Sequence, residues 1–288
     1  MKPSLFLLLV ASAWSAGAAA AEGVSVPDGW RLSWHDEFDA DGPPDPAHWG
    51  HELGFVRNRE EQLYTDRPAN ARVEDGVLVI EARRETVENP AFDPDAGADA
   101  WREARREAAY TSAAVRTKGR HGIRYGRVAV RARLPEGRGI WPAIWLLADD
   151  YSRGPGGVGW PLCGEIDVME FVGYLPGVVH TAVHTAERNH GDGTQAAAWA
   201  LPGDVHRTFR VYAVEWFPDR IDFFVDGRRV QTFANDGGGP ESWPFDKPFH
   251  LILNVAVGGS WGGRKGVDPA IFPQRMEVDW VRVYKAAK

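Results

Sequence analysis

The chain has 288 residues and a formal net charge of −7. An acidic balance disfavours nucleic acid or an anionic membrane surface as partner, and leaves neutral polymers open. A single cysteine, Cys163, excludes an internal disulfide, so stability has to come from a core.

Residues 1–21 read as an export leader. Lys2 gives a positive start, Leu5 to Val10 a short apolar core, and Ala18 to Ala21 small residues for cleavage. That core is too short to cross a bilayer, and no later stretch is apolar enough, so a secreted or periplasmic product is expected. Residues 22–288 then form one domain near the upper size for a single core.

The mature chain reads mainly as strands separated by Gly, Pro, Asp and Asn turns. Val77 to Ala82 follows an Asp75-Gly76 turn. Glu88 to Glu107 reads as an inserted polar loop, with helical composition over Ala98 to Ala109. Tyr125 to Leu134 alternates, with Arg127, Ala129, Arg131 and Arg133 on one face and Val128, Val130, Ala132 and Leu134 on the other. Phe209 to Trp216 is a further strand, and Ile221 to Val225 with Arg228 to Phe233 form a hairpin turned at Asp226-Gly227. Phe249 to Val257 is apolar enough for a central strand. Met276 to Tyr284 closes the chain, with Met276, Val278, Trp280, Arg282 and Tyr284 expected on one face. Many strands, few helices and no βα rhythm predict an all-β jelly-roll sandwich of two curved antiparallel sheets.

Two features ask for a chemical explanation. Thirteen tryptophans exceed what packing usually needs, and flat rings with one N–H suit stacking on sugar faces. Glu165-Ile166-Asp167-Val168-Met169-Glu170 places three carboxylates in one apolar run, where acids are costly to bury. On a regular strand residues 165 and 167 share a face and 170 points away. Three acids on one face therefore require an extra residue, a β-bulge at Val168 or Met169. Such a trio suits retaining glycoside hydrolysis, which pairs an ionised nucleophile with a protonated acid. Spacing alone does not say which glutamate takes which role. A solvated acidic edge or a calcium site fits the acids too, although the interleaved apolar residues argue against a solvated edge.

Other polar residues are weaker signals. Asn58 and Glu60 lie in a loop able to exchange hydrogen bonds with sugar hydroxyls, although Glu60 could equally cap a turn. Trp160 and Trp261 occupy Gly-rich loops, where a large ring has less reason to be buried. Arg131 either reaches a cleft or stands on a solvated face. His180 and His184 share a strand face but lie about 13 Å apart, too far for joint metal ligation. Cys163 has no evident pairing base and reads as a packed thiol.

The sequence resembles glycoside hydrolase family 16, in its laminarinase-like endo-β-1,3-glucanase branch. The resemblance rests on Glu165 to Glu170 in bulged form and the Trp160-Pro161-Leu162-Cys163-Gly164 lead-in. It extends from Asp36-Glu37-Phe38-Asp39 and Asn58 to Thr65, through Trp141-Pro142-Ala143-Ile144-Trp145, to Asn254 to Gly259 and Val278 to Tyr284. Departures, such as Arg59 to Gln62 and Trp261-Gly262-Gly263, lie in loops and bear on substrate detail.

The resemblance implies Glu165 as nucleophile, Asp167 as assisting residue and Glu170 as acid/base. It also implies Trp141 and Trp145 lining an open cleft, Asn58 reaching the site, and His184 beside the acids. Implied too are a monomer acting on β-glucan polysaccharide without a required cofactor, and a structural calcium ion held by Asp279 and backbone oxygens near Glu37, as in some relatives. Mixed-linkage β-glucan as substrate, or a non-catalytic glucan-binding protein, are the alternatives.

Overall fold

Alternating burial sorts the strand residues into two inward faces that pack on each other, and the computed structural model describes this for residues 26–97, 99–154 and 156–287. The expected leader, residues 1–21, lies outside the described residues. In chain order the strands are β1 (Trp30–Asp36), β2 (Gly50–His51), β3 (Gln62–Tyr64), β4 (Ala71–Glu74), β5 (Val77–Glu88) and β6 (Glu107–Ser112). There follow β7 (Ala114–Arg116), β8 (Gly126–Arg133), β9 (Ile140–Ala148), β10 (Glu165–Phe171), β11 (Val179–His184) and β12 (Ala196–Ala200). The last five are β13 (Arg210–Trp216), β14 (Arg220–Val225), β15 (Arg228–Ala234), β16 (Phe249–Val257) and β17 (Gln274–Ala286).

They form two sheets. One runs β15-β14-β13-β8-β17-β5-β6-β3, with β1 added on β17 and β4 on β5. The other runs β12-β11-β10-β9-β16-β7-β2. All strand pairs are antiparallel except β3 with β6. This is the jelly-roll sandwich the sequence predicts, and its core lies between the sheets. Val128, Val130 and Ala132 of β8 enter that core, and so do Ile166, Val168, Met169 and Phe171 of β10.

Two expectations are corrected. Beyond residue 99 the helical composition yields one helix-like hydrogen bond, Ala104 N to Ala100 O at 2.9 Å, and no helix. The segment's end is claimed by β6, where Glu107 pairs with Glu88. In β17 the five residues expected on one face divide. Met276 and Val278 enter the core, whereas Trp280 and Tyr284 pack on the outer face beside Ala129 and Ala213. A register shift between Val278 and Trp280 against β8 reverses the alternation there.

The second sheet carries the site on its outer, solvent-facing side. Pro142 is tolerated in its central strand β9 because pairing with β10 extends only as far as Ala143. Among the described residues no helix is long and apolar enough to cross a membrane.

Candidate active site

Strand β10 is irregular where the acids lie. Against β9, Asp167 faces Trp145 and Met169 faces Ile144, which leaves Val168 as the extra residue. Against β11, Asp167 faces Ala182 and Glu170 faces His180. Val168 and Met169 both turn into the core, fully buried. The bulge expected from counting is therefore present, and Glu165, Asp167 and Glu170 all line one cleft of about 760 Å³.

Burial dominates the electrostatics of this trio. It pushes the carboxyls of Glu165, Asp167 and Glu170 each up to about 8. The charge of Asp167 adds to the rise at both glutamates, and His184 opposes it at both. Arg57 further favours ionisation at Glu165, and an indole hydrogen bond from Trp141 does so at Glu170. Three charges so close are unfavourable together, so the trio keeps protons where isolated carboxylates have lost theirs.

His184 Nε2 lies 3.2 Å from Asp167 Oδ2 and 3.7 Å from Glu165 Oε1. The nearer contact lacks hydrogen-bond alignment, and Asp167 Oδ2 is buried without a hydrogen-bond partner among the described residues. Ligand atoms of Glu165, Asp167 and His184 all lie within 4.8 Å of one another, a spacing that a divalent cation can bridge.

Aromatic side chains wall the cleft. At the Glu165 end Trp160 leans on His184 and His190, with ring centroids 5.7 and 4.6 Å apart. At the Glu170 end Trp261 meets Trp141 edge-on at 5.5 Å and His180 at 5.0 Å. Trp145 lies in the floor, where its indole N–H donates to Asn254 Oδ1 at 2.8 Å and the Arg57 guanidinium covers its ring at 4.8 Å. All four tryptophans singled out in the sequence thus line the cleft.

The 57–62 loop closes one side. Asn58 takes a left-handed backbone (φ 55°), which asparagine tolerates, and its carbonyl accepts a 2.9 Å bond from Ser260 N. Glu60 borders the cleft, but its oxygens accept from Asn58 Nδ2 at 3.3 Å and Gln62 Nε2 at 2.7 Å. Desolvation raises its pKa, and Arg57 counters that rise. Glu60 thus helps hold the loop in shape at the border of the cleft.

One candidate is displaced. Arg131 lies on β8 in the opposite sheet, where it pairs with Asp279, so it does not reach the cleft. The same pair bears on calcium. Asp279 is engaged by Arg131, and Glu37 by Arg282 at 2.7 Å, so a cation at Asp279 would have to displace the Arg131 guanidinium. Cys163 is buried with its thiol pushed up to about 12 by desolvation, a packed group and no nucleophile.

Sequence reasoning missed several lining residues. Arg57 adjoins the Asn58 motif and Asn254 interrupts an apolar strand, and both were signals of a kind. His180 also faces the cleft, and its Nε2 is buried without a hydrogen-bond partner among the described residues. Nothing in the sequence pointed to His190 or Gln195, which enter from the loop before β12.

An open trough walled by indoles, with three coupled carboxyls in its floor, can bind a sugar chain and move protons at one bond. Comparison with known proteins agrees. The sequence model of glycosyl hydrolases family 16 matches residues 59–282. A beta-glucanase of Rhodothermus marinus is 47% identical over 264 residues, which cover 89% of this chain and 85% of that protein. The solved laminarinase of Rhodothermus marinus superposes with a TM-score of 0.80 at 46% identity, covering 90% of this chain and 98% of that one. A non-specific endo-β-1,3(4)-glucanase from family GH16 superposes with a TM-score of 0.79 at 41% identity, covering 91% and 94%.

Proposed function

The chain belongs to glycosyl hydrolases family 16 and is a glycoside hydrolase, and from that premise we propose that it cuts β-1,3-glucosidic bonds inside laminarin-type β-glucans with retention of configuration. The observation that carries this reading is the bulge at Val168–Met169. It turns a nucleophile candidate and an acid candidate toward the same tryptophan-walled trough.

Glu165 is the nucleophile in this reading, because Arg57 favours its ionised form and exerts no such pull at Glu170. Its carboxylate oxygen bonds to the anomeric carbon as the glycosidic C–O bond breaks. Glu170 delivers its proton to the departing oxygen, which leaves as a hydroxyl. A water then attacks the anomeric carbon and yields its proton to Glu170, and the ester bond to Glu165 breaks. Two displacements restore the starting configuration. Asp167, buried between them with one oxygen lacking a hydrogen bond among the described residues, can share a proton with Glu165, and when it is ionised its charge helps keep Glu170 protonated. No cofactor enters these steps. Trp141, Trp145, Trp160 and Trp261 supply stacking surface, and Asn58 and His184 supply polar contacts to hydroxyls.

In this reading the protein works as an exported monomer, its leader being residues 1–21. The likeness to an endo-β-1,3(4)-glucanase supports a second reading, in which mixed-linkage glucan is also cut. Product linkage analysis on laminarin beside barley β-glucan tests both. Cleavage of laminarin alone supports strict β-1,3 action, and cleavage of both supports the second reading. NMR of the first-formed anomer tests retention, and an initially inverted product would sink the double displacement.

A further inference from the structure

The trough continues past the acids toward the edge of the sheet. Asp167 faces Ala182 on β11, and Ala182 faces Ala197 on β12, so the row through the assisting acid runs out as two alanines. One flank of this alanine floor is the row Glu170, His180, Trp199, each facing the next across the ladder. The other flank is His184, with Gln195 from the loop entering β12. His180, Ala182, His184, Gln195 and Ala197 all line the cleft, and Trp199 stands next along β12.

Strand alternation fixes the side on which Trp199 lies. Ala196 and Ala200 pack against the core, so Ala197 and Trp199 share the cleft face. Trp199 is 63% exposed. The other described tryptophans each lie against a ring or a guanidinium, from Trp30 on Phe217 to Trp280 under Arg282. Packing therefore does not account for this indole, which offers a bare apolar face at the end of a sugar-sized groove.

The two halves of the trough differ in chemistry. Over β9 and β16 the chain meets Arg57, Asn58, Trp145 and Asn254, a half dense in fixed hydrogen-bonding groups. Over β11 and β12 it meets alanines, the imidazoles of His180 and His184, one amide from Gln195 and one open ring. In a double displacement one half of the substrate stays bonded to the enzyme while the other departs and water or an acceptor enters. The sparsely polar half at the sheet edge is suited to that exchange.

We propose that Trp199 is the stacking platform for the leaving-group side of the glucan, about 10 Å or two strand spacings from Glu170, and that it also holds incoming sugar acceptors. The proposal rests on the reading of the chain as a β-glucan endo-hydrolase, and deepens it. Trp199 touches substrate away from the reacting atoms, so its effect is selective for substrates that carry sugars on the leaving side.

The test compares Trp199→Ala and Trp199→Phe on laminarin and on a nitrophenyl laminari-oligosaccharide, whose leaving group contains no sugar. For Trp199→Ala the loss of kcat/KM on laminarin should exceed that on the nitrophenyl substrate by roughly five- to tenfold. The yield of transfer product with added laminaribiose should fall, and Trp199→Phe should retain most of both. Equal loss on the two substrates would place the ring on the other half and overturn the proposal. Unchanged kinetics and transfer in Trp199→Ala would overturn it as well. Wild-type protein inactive on both substrates would instead overturn the glucan reading beneath it.

Discussion

Trp141 donates its indole N–H to Glu170 Oε1 at 3.1 Å, so a wall of the cleft also tunes the carboxyl proposed as the acid. A hydrogen bond to the charged form favours ionisation, which opposes the rise caused by burial. Removing the donor in Trp141→Phe should raise the pKa of Glu170 and keep it protonated to higher pH. The alkaline limb of the kcat/KM profile should then move upward from its wild-type position. A downward move, or none, would show that this bond does not set the acid's titration.

Glu170 and Glu165 should separate by their dependence on the leaving group. Glu170→Ala should slow laminarin turnover by about 10²- to 10⁴-fold, because the departing sugar oxygen needs a proton. On a dinitrophenyl glycoside, whose leaving group departs without one, the first displacement should stay near the wild-type rate. Glu165→Ala should lose both. The reverse pattern, read by burst and steady-state kinetics, would exchange the two roles.

The carboxyl of Glu165 also links stability to pH. Its folded value of about 8 exceeds the ordinary 4.5, so between those values the folded protein binds the proton more tightly than the unfolded chain. Stability is therefore fully present below about pH 4.5 and is lost as pH rises through about 8. Glu165→Gln removes the charge that causes this loss. At pH 8–9 the variant should melt above the wild type by roughly 2–4 °C, the equivalent of about 1 kcal/mol, with little difference near pH 5. A variant less stable at both pH values would contradict the sign.

Counting along β10 gives a sharper test. Deleting Val168 removes the extra residue and restores plain alternation, in which Glu165, Asp167 and Glu170 still share the cleft face while Ile166, Met169 and Phe171 keep the core face. Laminarin turnover should therefore persist in part, and unfolding free energy should fall by about 1–3 kcal/mol for the lost packing of Val168. Complete loss of turnover in a folded deletion variant would show that the bulge does more than set the face of Glu170. Val168→Ala keeps the residue count. It should lose a comparable or smaller amount of stability to the cavity, about 1–3 kcal/mol, and keep turnover within a few-fold.

The spacing of Glu165, Asp167 and His184 predicts sensitivity to soft divalent cations. Micromolar to millimolar Zn²⁺ should inhibit competitively with laminarin and be reversed by chelation, since the metal would occupy the nucleophile. His184→Ala should weaken that inhibition measurably as a raised Ki. An unchanged Ki would place the inhibitory ion elsewhere.

Much of the architecture was legible because burial alternates wherever one strand face meets the core. The hairpin at Asp226-Gly227 and the central strand Phe249 to Val257 appear as read. The bulge in β10 was legible for a different reason: three acids on one face cannot be reconciled with a period of two. In β17 the bulge falls beside Asp279, whose polar neighbours carry no such contradiction, so the reversal at Trp280 left no trace in the pattern. Arg131 was ambiguous because an arginine on an outward face looks the same whichever sheet bears it. Strand β12, Ala196 to Ala200, was missed since its alanines have little strand propensity and its pairing with β11 is a tertiary fact.

Cys163 stands two residues ahead of Glu165, fully buried, and is the molecule's only thiol. A reagent added in excess can reach it only when the turn entering β10 opens. Its labelling rate would then serve as a native clock for excursions of the segment that presents the proposed nucleophile, without any engineered probe. Comparing that clock with and without bound glucan would separate opening of this one turn from unfolding of the whole sandwich.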